Sequence, residues 1–150
     1  MIEPVWIERN LFLKEYNLDN KKVIDFGCGD KSICNYFKFK EYVGIDKNEN
    51  ADIRIDFNKE IKLDIHSEIG LILGVLEYLE DPDIFFEKVK NSCERFIILV
   101  LAVKAPKYRD GWQRVYNQKN FTELLEKHFD TFVVNTHGKY LIADTSCGQF

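Results

Sequence analysis

Apolar and polar positions alternate along this chain with two periods, and the switches between them mark out its elements. Residues 3–17 set Val5, Trp6, Ile7, Leu11, Phe12, Leu13 and Tyr16 at mostly helical spacing, with Glu8, Arg9, Lys14 and Glu15 between them. That spacing predicts an amphipathic N-terminal helix. A polar turn over 17–22 leads into a short apolar run, 23–26, and a second run follows at 42–45. Both read as strands, and 32–39 between them reads as a helix turning Ile33, Tyr36 and Phe37 inward. Residues 52–57 alternate as a shorter third strand with Ile53 and Ile55 on one face.

The second half continues the pattern. Residues 69–76 are nearly unbroken in apolar character, interrupted by Gly70 and Gly74, as expected of a central strand covered on both faces. Asp81-Pro82 supplies a cap and a first-turn proline, opening a helix that runs to about 89. Residues 96–103 form the most apolar strand. A loop rich in aromatic and basic residues, 104–118, precedes a helix from about 120 that turns Phe121, Leu124 and Leu125 inward and leaves Thr122, Glu123 and Glu126 to water. Two last strands, 129–135 and 140–143, lie close enough around His137-Gly138 to pair as an antiparallel hairpin.

Strand–helix–strand alternation ending in a strand pair predicts an α/β fold. Its expected form is a single-domain, Rossmann-like three-layer sandwich on a mostly parallel seven-stranded sheet with a C-terminal antiparallel pair. Residues 1–20 would be an N-terminal helix and turn, and 21–150 the core. A length of 150 residues suits one domain.

Composition adds exclusions. The chain is 45% hydrophobic with a formal net charge of -4, and its basic residues are interleaved with acids (Lys21 and Lys22 before Asp25; Lys38 and Lys40 around Glu41). No basic stripe offers a footprint for a phosphate backbone, so nucleic acid is not favoured as a partner. The N-terminus lacks a basic segment followed by an apolar core, and no apolar run reaches the roughly 18 residues of a membrane span. The expectation is a cytoplasmic protein. Cys28, Cys34, Cys93 and Cys147 make no Cys-x-x-Cys pair and His66, His128 and His137 are scattered, so reduced thiols and no metal site are expected.

Candidate chemistry lies where the strands end. Val23-Ile-Asp-Phe-Gly-Cys-Gly29 runs from a buried strand into a tight turn, and Asp46 closes the next strand about 20 residues on, the distance at which a carboxylate reaches a ribose hydroxyl pair. Cys28 lies inside that turn, where its small size accounts for it. Asp25, Gly27, Gly29, Asp46, Asp56 and Gly74 all map to strand carboxyl ends, the rim where open sheets of this kind bind ligands.

Four pieces in order, Val23–Gly29, Val43-Gly-Ile-Asp46, Ile55-Asp56-Phe57 and Leu73-Gly-Val-Leu-Glu-Tyr-Leu-Glu-Asp-Pro82, resemble the successive cofactor motifs of class I, Rossmann-like S-adenosylmethionine-dependent methyltransferases. The resemblance spans roughly residues 20–135. It implies S-adenosylmethionine as cofactor, S-adenosylhomocysteine as product, and methyl transfer to a small-molecule acceptor. It also implies that Asp25, Gly27 and Gly29 line the methionine portion, with Cys28 beside them. Asp46, next to Lys47, would accept from the ribose hydroxyls. Asp56 would meet the adenine amino group with Phe57 beside the ring, Gly74 and Val75 would pass under the cofactor, and Glu77 and Tyr78 would stand near the sulfonium as candidate catalytic residues.

Lys31 departs from the pattern, occupying the place of the family's usual third glycine. Either its ammonium pairs with the cofactor carboxylate or the turn is remodelled and affinity falls. An NAD-dependent reading lacks that glycine for backbone access to a pyrophosphate and is the distant alternative.

The loop after the fifth strand opens onto the same rim. Tyr108, Arg109, Trp112, Arg114 and Asn117, with Tyr116, are candidates for the acceptor site, although Trp112 and Tyr116 equally suit a role capping the core. Trp6 and Arg9 are placed to close over the site from the N-terminal helix, although Trp6 at helical spacing suits the core better, and His137 suits a hairpin turn better than a base. A catalytically silent binding or regulatory module with the same fold is the alternative function. A homodimer is a further possibility, one copy completing the other's acceptor wall.

Overall fold

The computed structural model describes residues 4–102 and 111–145. Their frame is a seven-stranded sheet in the order β3-β2-β1-β4-β5-β7-β6. Its strands are β1 (Lys22–Phe26), β2 (Glu41–Asp46), β3 (Ile53–Arg54), β4 (Ser67–Leu73), β5 (Cys93–Leu101), β6 (Val133–His137) and β7 (Tyr140–Asp144). The pairs β1–β2, β2–β3, β1–β4 and β4–β5 are parallel, and β7 runs antiparallel to both β5 and β6. A mostly parallel α/β sheet ending in an antiparallel pair is thus the observed architecture.

Strand alternation divides the core into two layers. Ile24, Phe26, Ile72, Phe96, Ile98, Val100, Leu141 and Ala143 join one cluster, with Phe85, Phe86 and Val89 of α2 (Pro82–Val89) and Phe121, Leu124 and Leu125 of α3 (Gln118–Glu126). Val23, Ile69, Leu71, Leu73, Ile97, Leu99, Tyr140 and Ile142 point the other way, onto Leu13, Tyr16, Ile33 and Phe37. Each fully buried Leu, Ile or Phe removes apolar surface worth roughly 1.5–3 kcal/mol.

Local chemistry sets the helix ends. The Asp81 carboxylate accepts from Ile84 N, with Pro82 at the first turn, so α2 begins and ends where the sequence predicts. Arg95 holds Asp144 through two hydrogen bonds, at 2.9 and 2.8 Å, locking β5 to β7. His128 places Nε2 2.7 Å from Asp83 Oδ1, with its ring 5.1 Å from that of Phe86, joining the end of α3 to α2.

Several predicted elements change. The helix expected over 32–39 is only a 3-10 turn, Ser32–Asn35. Its backbone bonds go elsewhere: Lys40 N donates to Lys21 O and Asn20 N to Lys38 O, while Phe37, Phe39 and Tyr42 stack along the sheet. The N-terminal helix α1 (Pro4–Phe12) tightens into a 3-10 turn, Leu13–Tyr16, which shifts its phase. Leu13 and Tyr16 are buried as their spacing predicts, whereas Ile7 and Leu11 are exposed and Asn10 is buried. The third strand shrinks to Ile53–Arg54 at the sheet edge, and β4 stops at Leu73, where Gly74 takes φ +70° and a 3-10 turn, Leu76–Tyr78, follows. The sixth strand starts at Val133 rather than 129 because Phe129 and Phe132 pack onto the core. Gly138, at φ +59°, makes the hairpin turn, and His137 ends β6 with Nε2 3.2 Å from the Tyr16 hydroxyl. Among the described residues no helix is long and apolar enough to cross a membrane.

Candidate functional site

The sheet order reverses between β1 and β4, and a cavity of about 340 Å³ opens at the carboxyl ends of the strands around that point. Gly27 leaves β1 at φ +86°, and its amide and that of Cys28 both donate to Ile45 O, fastening the turn to β2. A Cβ at Gly27 would stand 2.4 Å from Val75 Cγ2, so the turns after β1 and β4 approach as closely as they do only because that side chain is missing. Gly29 N donates to Asp46 Oδ2 at 2.9 Å, and Asn48 Nδ2 donates to Gly29 O at 3.2 Å. Lys47 N donates to Asp46 Oδ1, so the carboxylate is oriented at both oxygens while still lining the cavity. Unused lone pairs on each oxygen can take further donors.

Asp25 is the electrostatic centre of the floor. It is buried, and its Oδ2 accepts from the Tyr42 hydroxyl at 2.6 Å. Burial lifts its carboxyl from 3.8 to about 6, against the opposing pull of the Tyr42 bond and the Arg9 charge. Burial also pushes the Cys28 thiol up to about 12, with Asp25 and Asp46 adding to the effect. Cys28 is a small wall residue, not a nucleophile.

The far wall is shaped by loops. Asp56 Oδ1 accepts from Asn58 N, and Asn58 bridges onward, donating to Tyr78 O at 3.0 Å and accepting from Glu80 N at 2.9 Å. Phe57 lines the cavity while its ring packs 5.1 Å from Phe85. Tyr78 and Trp112 meet edge to face, centroids 6.3 Å apart, at the same cavity.

Of the residues predicted for the cofactor, Asp25, Gly27, Cys28, Gly29, Asp46, Lys47, Asp56, Phe57, Gly74 and Val75 come together around this one cavity. Lys31 does not. It adopts the left-handed conformation (φ 62°, ψ 28°) that glycine takes most easily, and its Nζ lies 2.8 Å from Asp52 Oδ1 while Asp52 Oδ2 accepts from Gly44 N. The conformation fits a position where glycine is usual, and the ammonium is directed to the β2–β3 loop.

Glu77 and Tyr78 line the cavity too, but Glu77 is 1% exposed and its Oε2 accepts from Leu101 N at 3.0 Å. Its backbone oxygen accepts from Gln113 N, so Glu77 ties the strand 5 exit to the segment returning from the loop. That is a positioning role. Trp112 lines the cavity, whereas Arg114 lies beyond it with Nη2 donating to Glu80 O. Asn117 caps α3: its side chain accepts from Asn120 N, and the Asn120 side chain accepts from Asn117 N. Tyr116 is buried against Phe121, the core alternative of the sequence reading. Tyr108 and Arg109 lie outside the described residues.

Lining residues that neither the motifs nor the loop candidates include are Arg9, Asp30, Ser32, Ile33, Asn58, Leu99, Leu101 and Tyr140. The last three had a usable signal, since they sit on one alternating face at strand ends near the rim. Asn58 had none, because a loop asparagine looks alike whether or not it bridges two turns.

No protein-family model matches the chain, and no curated protein matches it in sequence. Solved structures match its fold. The small RNA methyltransferase HEN1 superposes with a TM-score of 0.74 at 15% identity, over 96% of this chain and 25% of its own, so the chain spans a quarter of that protein. A SAM-dependent methyltransferase from Aquifex aeolicus gives 0.69 at 19% identity, covering 95% of this chain and 92% of its own. The 1,6-didemethyltoxoflavin-N1-methyltransferase of Burkholderia thailandensis, solved with 1,6-didemethyltoxoflavin and S-adenosylhomocysteine, gives 0.69 at 15% identity over 94% and 80%. The likeness is one of fold: this chain has the fold of class I SAM-dependent methyltransferases.

Proposed function

We propose that the cavity binds S-adenosylmethionine and that the protein transfers the methyl group to a small-molecule acceptor. The observation that carries this reading is the convergence of Asp25, Asp46 and Asp56, from the ends of three successive strand units, on one cavity beside Gly27, where a Cβ would stand 2.4 Å from Val75 Cγ2. The fit is chemical as well as steric. A cationic ligand suits an acidic floor, ribose hydroxyls suit the remaining lone pairs of Asp46, and a flat base suits the Phe57 wall beside Asp56.

The sulfonium supplies an already activated methyl group. What remains for the protein is alignment and exclusion of water, and proximity and orientation account for most of such an effect. Tyr78 and Trp112 would hold a planar acceptor by their rings, and Glu77 would act through the loop it anchors. The net charge of -4 and the interleaved charges favour a small acceptor over nucleic acid.

One observation favours a second reading, cofactor binding without turnover: the Glu77 carboxylate, the candidate base nearest the expected sulfonium, already holds the Leu101 amide. Incubation with methyl-labelled S-adenosylmethionine and a panel of planar amines, phenols and thiols tests the choice. Label in any acceptor, lost in Asp46→Ala, establishes transfer. Stoichiometric cofactor binding with no labelled product across the panel supports the silent module.

A further inference from the structure

We infer that Asn58 is a positioning residue for the acceptor wall: it hangs the Tyr78–Trp112 pair on the turn that carries Asp56, so that an adenosyl ligand engaging Asp56 sets the wall an acceptor meets. The inference rests on the cofactor reading above and adds to it a link from one end of the site to the other.

The wall has little regular structure of its own. Tyr78 closes a 3-10 turn of three residues, Leu76–Tyr78, and the chain then runs extended at Leu79 toward the cap of α2 at Asp81. The Asn58 carboxamide joins that stretch as a peptide group of a neighbouring strand would. Its Nδ2 donates to Tyr78 O at 3.0 Å, and its Oδ1 accepts from Glu80 N at 2.9 Å. Both halves of the amide are needed: aspartate in its place keeps only the acceptor, and alanine keeps neither.

The backbone of Asn58 belongs to the other end of the cavity. Its N donates to Asp56 Oδ1 at 3.0 Å, and Lys59 N donates to Asp56 O at 3.0 Å, closing a tight turn. A ligand amino group that donates to the Asp56 carboxylate draws on the same group that holds Asn58 N, which is the differential contact that coupling between two ends requires. From the opposite side the wall is held by Gln113 N on Glu77 O at 2.7 Å and by Arg114 Nη2 on Glu80 O at 2.8 Å, neither of which reaches the Asp56 turn. The Tyr78 ring meets Trp112 edge to face, and a Cβ at Gly111 would stand 3.4 Å from Tyr78 Cδ1. A shift of Tyr78 is therefore felt by the indole.

The chain has two tryptophans, Trp6 and Trp112, so a Trp6→Phe protein makes Trp112 its sole indole emitter. Titrated with S-adenosylhomocysteine, that protein should show a saturating change in Trp112 emission, with calorimetry on the same samples giving the affinity. Adenosine, which lacks the sulfur and the amino-acid tail, should give the same change at saturation, because the link starts at the base. Adding Asn58→Ala should cut the saturating change to less than roughly one third while weakening binding by no more than about tenfold, the scale of one hydrogen bond. Asn58→Asp should fall between the two. A residue that only supports the fold would lower unfolding stability and leave the saturating change intact. A full change in Asn58→Ala overturns the inference, as does calorimetric binding that leaves Trp112 emission unmoved in the Trp6→Phe protein, or a change given by S-adenosylhomocysteine but not by bound adenosine. Should Asn58→Ala fail to fold, a full change in Asn58→Asp overturns it equally. Folded protein that binds neither ligand by calorimetry removes the cofactor reading itself, a result distinct from binding with an unmoved wall.

Discussion

The Tyr42 hydroxyl donates to Asp25 Oδ2 at 2.6 Å across the β1–β2 pair, fixing a buried carboxyl at the floor of the cavity. Because burial holds the Asp25 carboxyl at about 6, above its ordinary 3.8, the folded chain binds a proton more tightly than the unfolded one. Stability from this group is full below about pH 4 and is lost as pH rises through about 6, amounting to roughly 2–3 kcal/mol at neutral pH. Asp25→Asn, which keeps an acceptor for Tyr42, should raise unfolding free energy at pH 7 by about 2 kcal/mol and change it little at pH 4. Denaturant titrations at the two pH values check this. The same variant should lose affinity for S-adenosylhomocysteine, stability and binding pulling in opposite directions.

The ligand's ammonium needs Asp25 ionised, so affinity should fall as pH drops through about 6. The Tyr42 bond holds the carboxyl down, so Tyr42→Phe should move the midpoint upward. Titrations between pH 5 and 8 read the midpoint directly; one at the same pH in both proteins would show that Asp25 is not the titrating group.

Lys31→Gly removes a side chain from a left-handed position, a gain of about 1 kcal/mol, and deletes a half-exposed ion pair that solvent largely screens. Thermal unfolding should therefore be unchanged or slightly raised. Affinity for S-adenosylhomocysteine should stay within about twofold, because Lys31 does not line the cavity. A tenfold loss would return the carboxylate contact to Lys31.

The floor of this site was legible in the sequence because it is built by backbone. Strands that end in Asp25 and Asp46, and a glycine at 27 where no side chain fits, leave marks that period and spacing detect. The walls were less so. Asn117 reads as a polar loop residue beside aromatic ones, yet the same asparagine is a helix cap once Asn120 stands three residues on. Glu77 has the position of a catalytic base, and only the three-dimensional approach of Leu101 N reveals its tether. Lys31 could be placed in the turn but not aimed, since its partner Asp52 lies on another loop. The aromatic run after Lys31 looked helical because stacking along a sheet and packing under a helix draw on the same residues.

Asn117→Ala separates capping from acceptor binding. It should lower stability by about 1 kcal/mol, the usual worth of such a cap, with no change in S-adenosylhomocysteine affinity or in turnover of any acceptor found. Unfolding and binding measured on one preparation suffice. Unaltered stability with impaired turnover would reverse the assignment.

The central claim is that the paired acids and glycine turn at the carboxyl rim grip an adenosyl ligand, and calorimetry with S-adenosylhomocysteine tests it most directly. The wild type should bind one equivalent per chain, and Asp46→Ala, which takes the ribose acceptors and the Gly29 tether away together, should bind at least roughly tenfold more weakly. Folded wild-type protein that takes up no S-adenosylhomocysteine, or binds it as tightly with alanine at position 46, would contradict the account.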